Sequence, residues 1–448
     1  MGNKLKKILV LGAGLSATSL INYLLNNSTI YNWQVTVGDL SEETAALKIN
    51  KHPNGRAIKF LVEDRMQAAT EIADCDLVIS LLPAFFHPVI AEICLEKNKH
   101  LVTASYVSDQ MASLNQIAIQ KGLIFVNEAG LDPGIDHMSA MEVIDKIKLQ
   151  GGTIYSFKSY TGGLIAPKSD TNPWNYKFTW NPRNVVVAGQ GIAKYITKGK
   201  YKYIPYNRLF THTEKIGIAN YGNFEGYPNR DSLKYREIYG LGAIPTMIRG
   251  TLRRPGFCKA WNVFVQLGLT DDSYTIENSD EMTYREFVNS FLPFHEIYKV
   301  EEKLAELVGV TVDSETLNRL KWLGIFGNTR ITMKNATPAQ ILQKILSDKL
   351  FLETTDTDMI VMQHQFEYEI KNVHKRIISS LVVEGTDHLN TAMSITVGTP
   401  VAIVAKLILN EQFTTPGVHI PVIPQLYKPI LNELKMFGVN FTEQEITL

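Results

Sequence analysis

Residues 127–138 read Asn-Glu-Ala-Gly-Leu-Asp-Pro-Gly-Ile-Asp-His-Met and gather Asp132, Asp136 and His137 directly behind an apolar run, Leu123-Ile-Phe-Val126. A carboxylate or imidazole at the end of a buried strand can take a proton from, or return it to, whatever binds there. Pro133 followed by Ile135, Met138, Met141, Ile144 and Ile147 predicts a helix with the proline in its first turn. Asp132 then becomes a natural N-cap, a structural job equal in weight to any catalytic one. Asp136 and His137 fall in the first turn, where interaction with the helix dipole or packing outweighs catalysis.

A second constellation lies at the other end of the same region. Residues 12–17, Gly-Ala-Gly-Leu-Ser-Ala, form a GxGxxA turn between an apolar strand and an amphipathic helix. Gly12 permits the tight turn, Gly14 admits a pyrophosphate to the backbone, and the helix N-terminus supplies positive charge. The motif alone is weak. Here it follows a strand, opens a helix and is answered by Asp39 after the second strand, which predicts a dinucleotide site. A carboxylate at that position accepts bonds from a ribose and repels a 2′-phosphate, and no basic residue follows until Lys48. That reading favours NAD over NADP. Glu42 and Glu43 serve equally well as a solvated helix start.

These groups need elements to hold them. Strand candidates at 7–11, 34–38, 57–61, 76–82, 100–105 and 123–127 alternate with helical periods near 15–26, 41–49, 65–72, 87–97 and 109–121. Such alternation implies an α/β chain with a Rossmann-like, doubly wound parallel sheet, and ligands bind beyond the carboxyl ends of its strands. Leu15, Leu20, Ile21, Leu24 and Leu25 share one predicted helix face. After residue 150 the pattern becomes that of a second, mixed α/β substrate domain, with Thr161–Pro173 as a loop and a mostly helical insert from about 280 to 350. The expected divisions are 1–130, rejoined by 390–448, for the dinucleotide domain; 131–275 with 355–390 for the substrate-binding and dimerisation domain; and 276–354 for the helical one.

Bulk composition removes other classes. Lys+Arg and Asp+Glu are both 45 in 448 residues, so no excess charge favours nucleic acid or an acidic membrane. Three cysteines without CxxC spacing suit neither a disulfide framework nor a zinc site, so no metal is expected. The start carries no signal-peptide pattern, and the apolar run Val401–Leu409 is too short to span a bilayer. A cytoplasmic homodimer is the expectation.

The segments DLVISLLP, HLVTASYV, EAGLDPGIDHMSAM, YTGGLIAP, NPWNYKFTWNPRNV, EGYPNRDSLKYREIYG, RGTLRRPGFCKAWN, DMIVM and TVGTPVAIVAKLIL follow one another along the chain. In kind and order they resemble the saccharopine dehydrogenases that form L-glutamate, also called saccharopine reductases. The NAD-using domain of the animal bifunctional lysine-degrading enzyme is especially similar. The resemblance implies oxidation of saccharopine with NAD and water to L-glutamate and 2-aminoadipate 6-semialdehyde, reversibly, in lysine metabolism. It implies cofactor contacts at Ala13, Asp39, Leu82, Ala104, Ser105, Tyr106 and Asp132, beside Gly12 and Gly14 of the turn. Substrate contacts would fall on Ser105, Tyr106, Arg230, Thr251, Leu252 and Arg253. Arginines suit a ligand with three carboxylates, because a guanidinium grips a carboxylate with two parallel bonds. A base near the substrate amine would be Tyr106, Asp132 or His137, with solvent as a further choice. The alternatives are a related imine-reducing dehydrogenase for another amino-acid-derived substrate, and a non-catalytic dinucleotide sensor.

Overall fold

A computed structural model describes residues 4–187 and 191–448. The chain divides into two compact units, Met1–Thr153 with Leu381–Thr442, and Ile154–Ser380 with Glu443–Leu448.

In the first unit, β1 (Lys6–Leu11), β2 (Trp33–Asp39), β3 (Gly55–Lys59), β4 (Leu77–Ser80), β5 (His100–Thr103) and β6 (Ile124–Val126) form one sheet with the short strand Gly417–His419. The order is 417–419, β6, β5, β4, β1, β2, β3, and every neighbouring pair is parallel. Strands β1, β4 and β6 are apolar on both faces because helices cover both sides, which is why they read as continuous apolar runs. The order reverses between β1 and β4, and the carboxyl ends of those two strands flank the crevice where such sheets bind ligands.

Helix α1 (Thr18–Tyr31) buries Leu20, Ile21, Leu24 and Leu25 and stops at Asn32, which turns left-handed (φ 56°). Each such side chain contributes about 2 kcal/mol by leaving water. Leu15 departs from the predicted face. Residues Leu15–Ala17 form a 3-10 turn ahead of α1, and Leu15 is left more than half exposed. Helices α2 (Glu42–Ile49), α3 (His87–Lys97) and α4 (Ile135–Leu149) follow β2, β4 and β6 in sequence. The helix Ala392–Leu409 returns to this unit and packs on α1, with Ser394 Oγ accepting from Ser19 N at 2.8 Å. By length and hydropathy it could cross a membrane, but 83% of it is buried among its neighbours, as in a core helix.

The second unit is built on a nine-stranded mixed sheet. Its members are β7 (Thr153–Ile165), β8 (Ala193–Thr197), β9 (Lys200–Ile204), β10 (Glu214–Ile218), β11 (Gly222–Pro228), β12 (Thr246–Arg253), β13 (Asp358–Ile370), β14 (Val373–Glu384) and the last strand Thr442–Thr447. Strands β7 and β12 run parallel at its centre, while β11 meets β12 antiparallel. The loop predicted at Thr161–Pro173 begins later than expected, because β7 runs on through its glycines to Ile165. Glycines in a strand mark places where another backbone passes close by, and Leu252 of β12 does so at Gly162. Helix α5 (Phe257–Leu267) follows β12, and the helices Tyr284–Asn289, Val300–Val308, Glu315–Trp322 and Pro338–Ser347 belong to this unit.

Candidate active site

The glycine turn lies directly after β1. Asp39, at the end of β2, accepts from Ala13 N at 2.8 Å through one oxygen and from Ser41 N at 3.1 Å through the other. It therefore ties the turn to the end of β2. Gly12 adopts φ +98°, and a Cβ placed on Gly14 would project into open space, so the Gly14 backbone is accessible from outside. An exposed amide run at a helix start is what a pyrophosphate requires.

The ends of β4 and β5 are joined through a residue that the sequence did not single out. His87 opens α3 and is only 2% exposed. Its Nδ1 lies 2.9 Å from Ser80 Oγ, and its Nε2 lies 2.7 Å from Ser105 Oγ and 3.2 Å from Thr103 Oγ1. One imidazole thus cross-ties two strand ends and orients the Ser105 hydroxyl. Burial pushes the pKa of His87 down to about 4. Between that value and the unfolded value near 6.5 only the unfolded chain takes up the proton, so this contribution to stability is complete above pH 6.5 and falls away toward pH 4. The expected loss across that window is about 3 kcal/mol. Melting temperatures of the wild-type protein and His87→Gln from pH 7 to 4 check it: the two curves should converge as the pH falls. Parallel curves would remove His87 as the cause.

The 127–138 segment folds differently from its prediction. Helix α4 begins at Ile135 with Gly134 as its N-cap, and the carboxylate that reaches the free amide is Asp136, whose Oδ1 accepts from Gly134 N at 2.6 Å. Asp132 is not the cap. It lies within a loop closed by Gly130 N donating to Pro133 O at 3.0 Å, and its Oδ1 accepts from the Tyr106 hydroxyl at 2.9 Å. The Asp132–Pro133 bond is cis. Asp132 and Tyr106 are both half-buried, as are Ala104 and Ser105 on the loop after β5 and Leu82 after β4. His137 is fully buried and lies 2.8 Å from Glu128 Oε2. The other oxygen of Glu128 accepts from Val107 N at 2.9 Å, and Glu128 N donates to Ser105 O at 3.0 Å. Glu128 stood within the motif quoted above, yet sequence gave no hint that it anchors the 105–107 loop from below.

In the second unit the RGTLRR segment is the last part of β12. Thr251 pairs in register with Thr161 of β7 and with Tyr227 of β11, and its hydroxyl accepts from Asn229 Nδ2 at 2.9 Å. Leu252 is buried in the core. Arg253 is 6% exposed, donates Nη1 to Leu252 O at 2.9 Å, and stands 5.3 Å from each of the Tyr176 and Phe257 rings. Its Nε has no hydrogen-bond partner among the described residues, and no carboxylate pairs with it there. Glu225 faces it in the strand register, but that carboxylate already accepts from Gly256 N and Cys258 N at the start of α5. Arg230 follows β11 on an exposed turn with φ +46°, and its carbonyl accepts from Lys194 N. Arg254, the next residue, is half-buried: its guanidinium covers the Phe224 ring at 4.4 Å and donates to Tyr221 O.

Two family models match this chain in sequence. The saccharopine dehydrogenase NADP binding domain covers residues 8–126, and the saccharopine dehydrogenase C-terminal domain covers 130–439. The chain belongs to the saccharopine dehydrogenase family. Rat alpha-aminoadipic semialdehyde synthase, mitochondrial, is 36% identical over 98% of this chain and 48% of its own length. The chain therefore spans about half the length of the animal relatives it matches. Saccharopine dehydrogenase [NADP(+), L-glutamate-forming] of Saccharomyces cerevisiae is 33% identical over 98% of this chain and 99% of its own. The solved structure of an apo histidine-tagged saccharopine dehydrogenase (L-Glu forming) from the same yeast superposes with a TM-score of 0.88, at 32% identity, over 98% and 100% of the two chains.

These relatives correct one inference drawn from sequence. NAD was favoured over NADP because Asp39 would repel a 2′-phosphate, yet the matching family model is an NADP binding domain and the fungal relatives are named for NADP(+). The geometry supplies a reason. A carboxylate that repels a 2′-phosphate must turn outward to the ribose, whereas both Asp39 oxygens accept backbone amides. A carboxylate bonded to two amides has much of its charge compensated and is a poor discriminator against phosphate.

Proposed function

We propose that this chain is an L-glutamate-forming saccharopine dehydrogenase that uses NADP. The observation that carries the substrate reading is Arg253, a buried guanidinium with a donor to spare and no carboxylate paired with it among the described residues. A buried charge left without a partner is costly, and a ligand carboxylate relieves that cost. Saccharopine offers three.

The open glycine turn and its bracing by Asp39 suit a dinucleotide, and NADP supplies the hydride acceptor. The rest of the chemistry belongs to the substrate and the chain. Hydride leaves the methylene carbon bound to the bridging nitrogen, and the nitrogen loses its proton. Water adds to the resulting imine, the carbon–nitrogen bond breaks, and L-glutamate and 2-aminoadipate 6-semialdehyde separate. In this reading the Tyr106–Asp132 pair is the proton acceptor, since both groups are half-buried and the phenol is hydrogen-bonded to the carboxylate. His137 is fully buried on Glu128 and holds the 105–107 loop in place. Ser105, oriented by His87, and Thr251, fixed by Asn229, orient polar groups of the bound molecules.

Initial rates of absorbance change at the reduced-nicotinamide band, with saccharopine and either NADP or NAD, test the proposal. Turnover with a kcat/KM at least tenfold higher for NADP is expected. Turnover preferring NAD would overturn the cofactor assignment, and no turnover with either would overturn the activity.

A further inference from the structure

Tyr176 lies in the segment 172–185, to which no function has been assigned above, and it is fully buried (0% exposed). Its ring is packed edge-on against Phe178 and Phe257, and Arg253 stands 5.3 Å from its centroid. The phenol's proton finds no acceptor among the described residues. The Trp180 indole faces that oxygen, but it is a donor only and offers nothing to the proton. Buried tyrosines ordinarily find a partner for their hydroxyl, and an unmade bond there costs about 1–3 kcal/mol. The neighbouring cation has the same deficit, for Arg253 Nε also lacks a partner among the described residues. Tyr227, in register with Thr251 on the next strand, brings a second phenol within electrostatic range of Arg253. Donors outnumber acceptors in this part of the core. The nearest carboxylate in the strand register, Glu225, is held by two amides.

A group of donors with nothing to accept them is complementary to an anion. The guanidinium stands against the Tyr176 and Phe257 rings, 5.3 Å from each centroid, and is tied by Nη1 to Leu252 O, so its position is restrained before any ligand arrives. We propose that Tyr176 is a substrate-binding residue whose hydroxyl donates to the same ligand carboxylate that Arg253 holds. The inference rests on the substrate reading above and deepens it by naming a second donor for one carboxylate. It also explains why a tyrosine stands where phenylalanine would pack equally well.

Tyr176→Phe isolates the hydroxyl, because it leaves the ring contacts with Phe178, Phe257 and Arg253 in place. A lost bond to a charged acceptor should raise KM for saccharopine roughly tenfold or more. The expected kcat stays within about twofold, KM for NADP is unchanged, and the melting temperature is equal to or above that of the wild-type protein. An unaltered KM for saccharopine would overturn the proposal, and so would a lower melting temperature without a kinetic change, since that reveals a partner inside the fold. Calorimetric titration of the full chain with glutarate, a simple dicarboxylate, separates this inference from the reading it rests on. If saccharopine is not turned over but glutarate binds the wild-type protein and binds Tyr176→Phe roughly tenfold more weakly, the activity fails and the carboxylate site stands. Equal binding of glutarate to both proteins would overturn the site.

Discussion

Arg253→Met should lower kcat/KM for saccharopine by roughly a hundredfold or more while leaving the protein at least as stable as before. The two halves of this expectation share one cause. Arg253 is buried with a single backbone bond and two ring faces, and no carboxylate repays its desolvation within the described residues. Methionine has similar length and no charge, so it fills the space beside the Tyr176 and Phe257 rings without that penalty. The binding of a ligand carboxylate, in contrast, loses a charge-assisted bond with no substitute. Steady-state kinetics and thermal melting on the same preparation check both halves. A melting temperature several degrees lower with activity retained would mean that the guanidinium is a structural group.

Gly134→Ala should unfold or severely loosen the first unit, at a cost of about 4 kcal/mol or more. Gly134 has φ +149°, a region essentially closed to residues with a side chain, and an added Cβ would lie 2.0 Å from Gly130 O and 2.3 Å from Gly130 C. Those contacts are with backbone, so relief requires the 130–134 loop to open. That loop carries Asp132 to Tyr106 and leads into α4, so cofactor binding should weaken with it. Gly122 provides the comparison. It also has a positive φ (+68°), but an added Cβ there would meet nothing within 4 Å. Gly122→Ala should therefore cost only about 1 kcal/mol. Melting curves of the two variants decide the matter, and equal stability would show that crowding at Gly134 is not what shapes the loop.

The first unit could be read from sequence because its determinants are local. Fully buried parallel strands appear as apolar runs such as Ile8–Leu11 and Leu77–Ile79, and helices covering them repeat every three to four residues. The glycine turn was visible for the same reason, since Gly12, Gly14 and Asp39 have fixed places around one strand–helix junction. What escaped were choices between groups that sequence treats alike. Asp132 and Asp136 both stand near the start of α4, and only the backbone path decides that Asp136 caps Gly134 while Asp132 meets Tyr106. Asp39 was correctly placed at the end of β2, but the direction of its carboxylate was not readable, and the cofactor argument failed on that point. His87, Glu128 and Tyr176 were overlooked because their significance comes from burial and partners distant in sequence. An aromatic residue in a core is by default a packing residue, and nothing local distinguishes a phenol with an unanswered proton.

The claim that organises these observations is that the chain oxidises saccharopine and splits it. The most direct measurement is the ratio of L-glutamate released to NADPH formed when the purified chain is given saccharopine and NADP. The account predicts one glutamate for each NADPH throughout the time course. NADPH formed without glutamate would mean oxidation of a different bond, and neither product appearing would contradict the account at its centre.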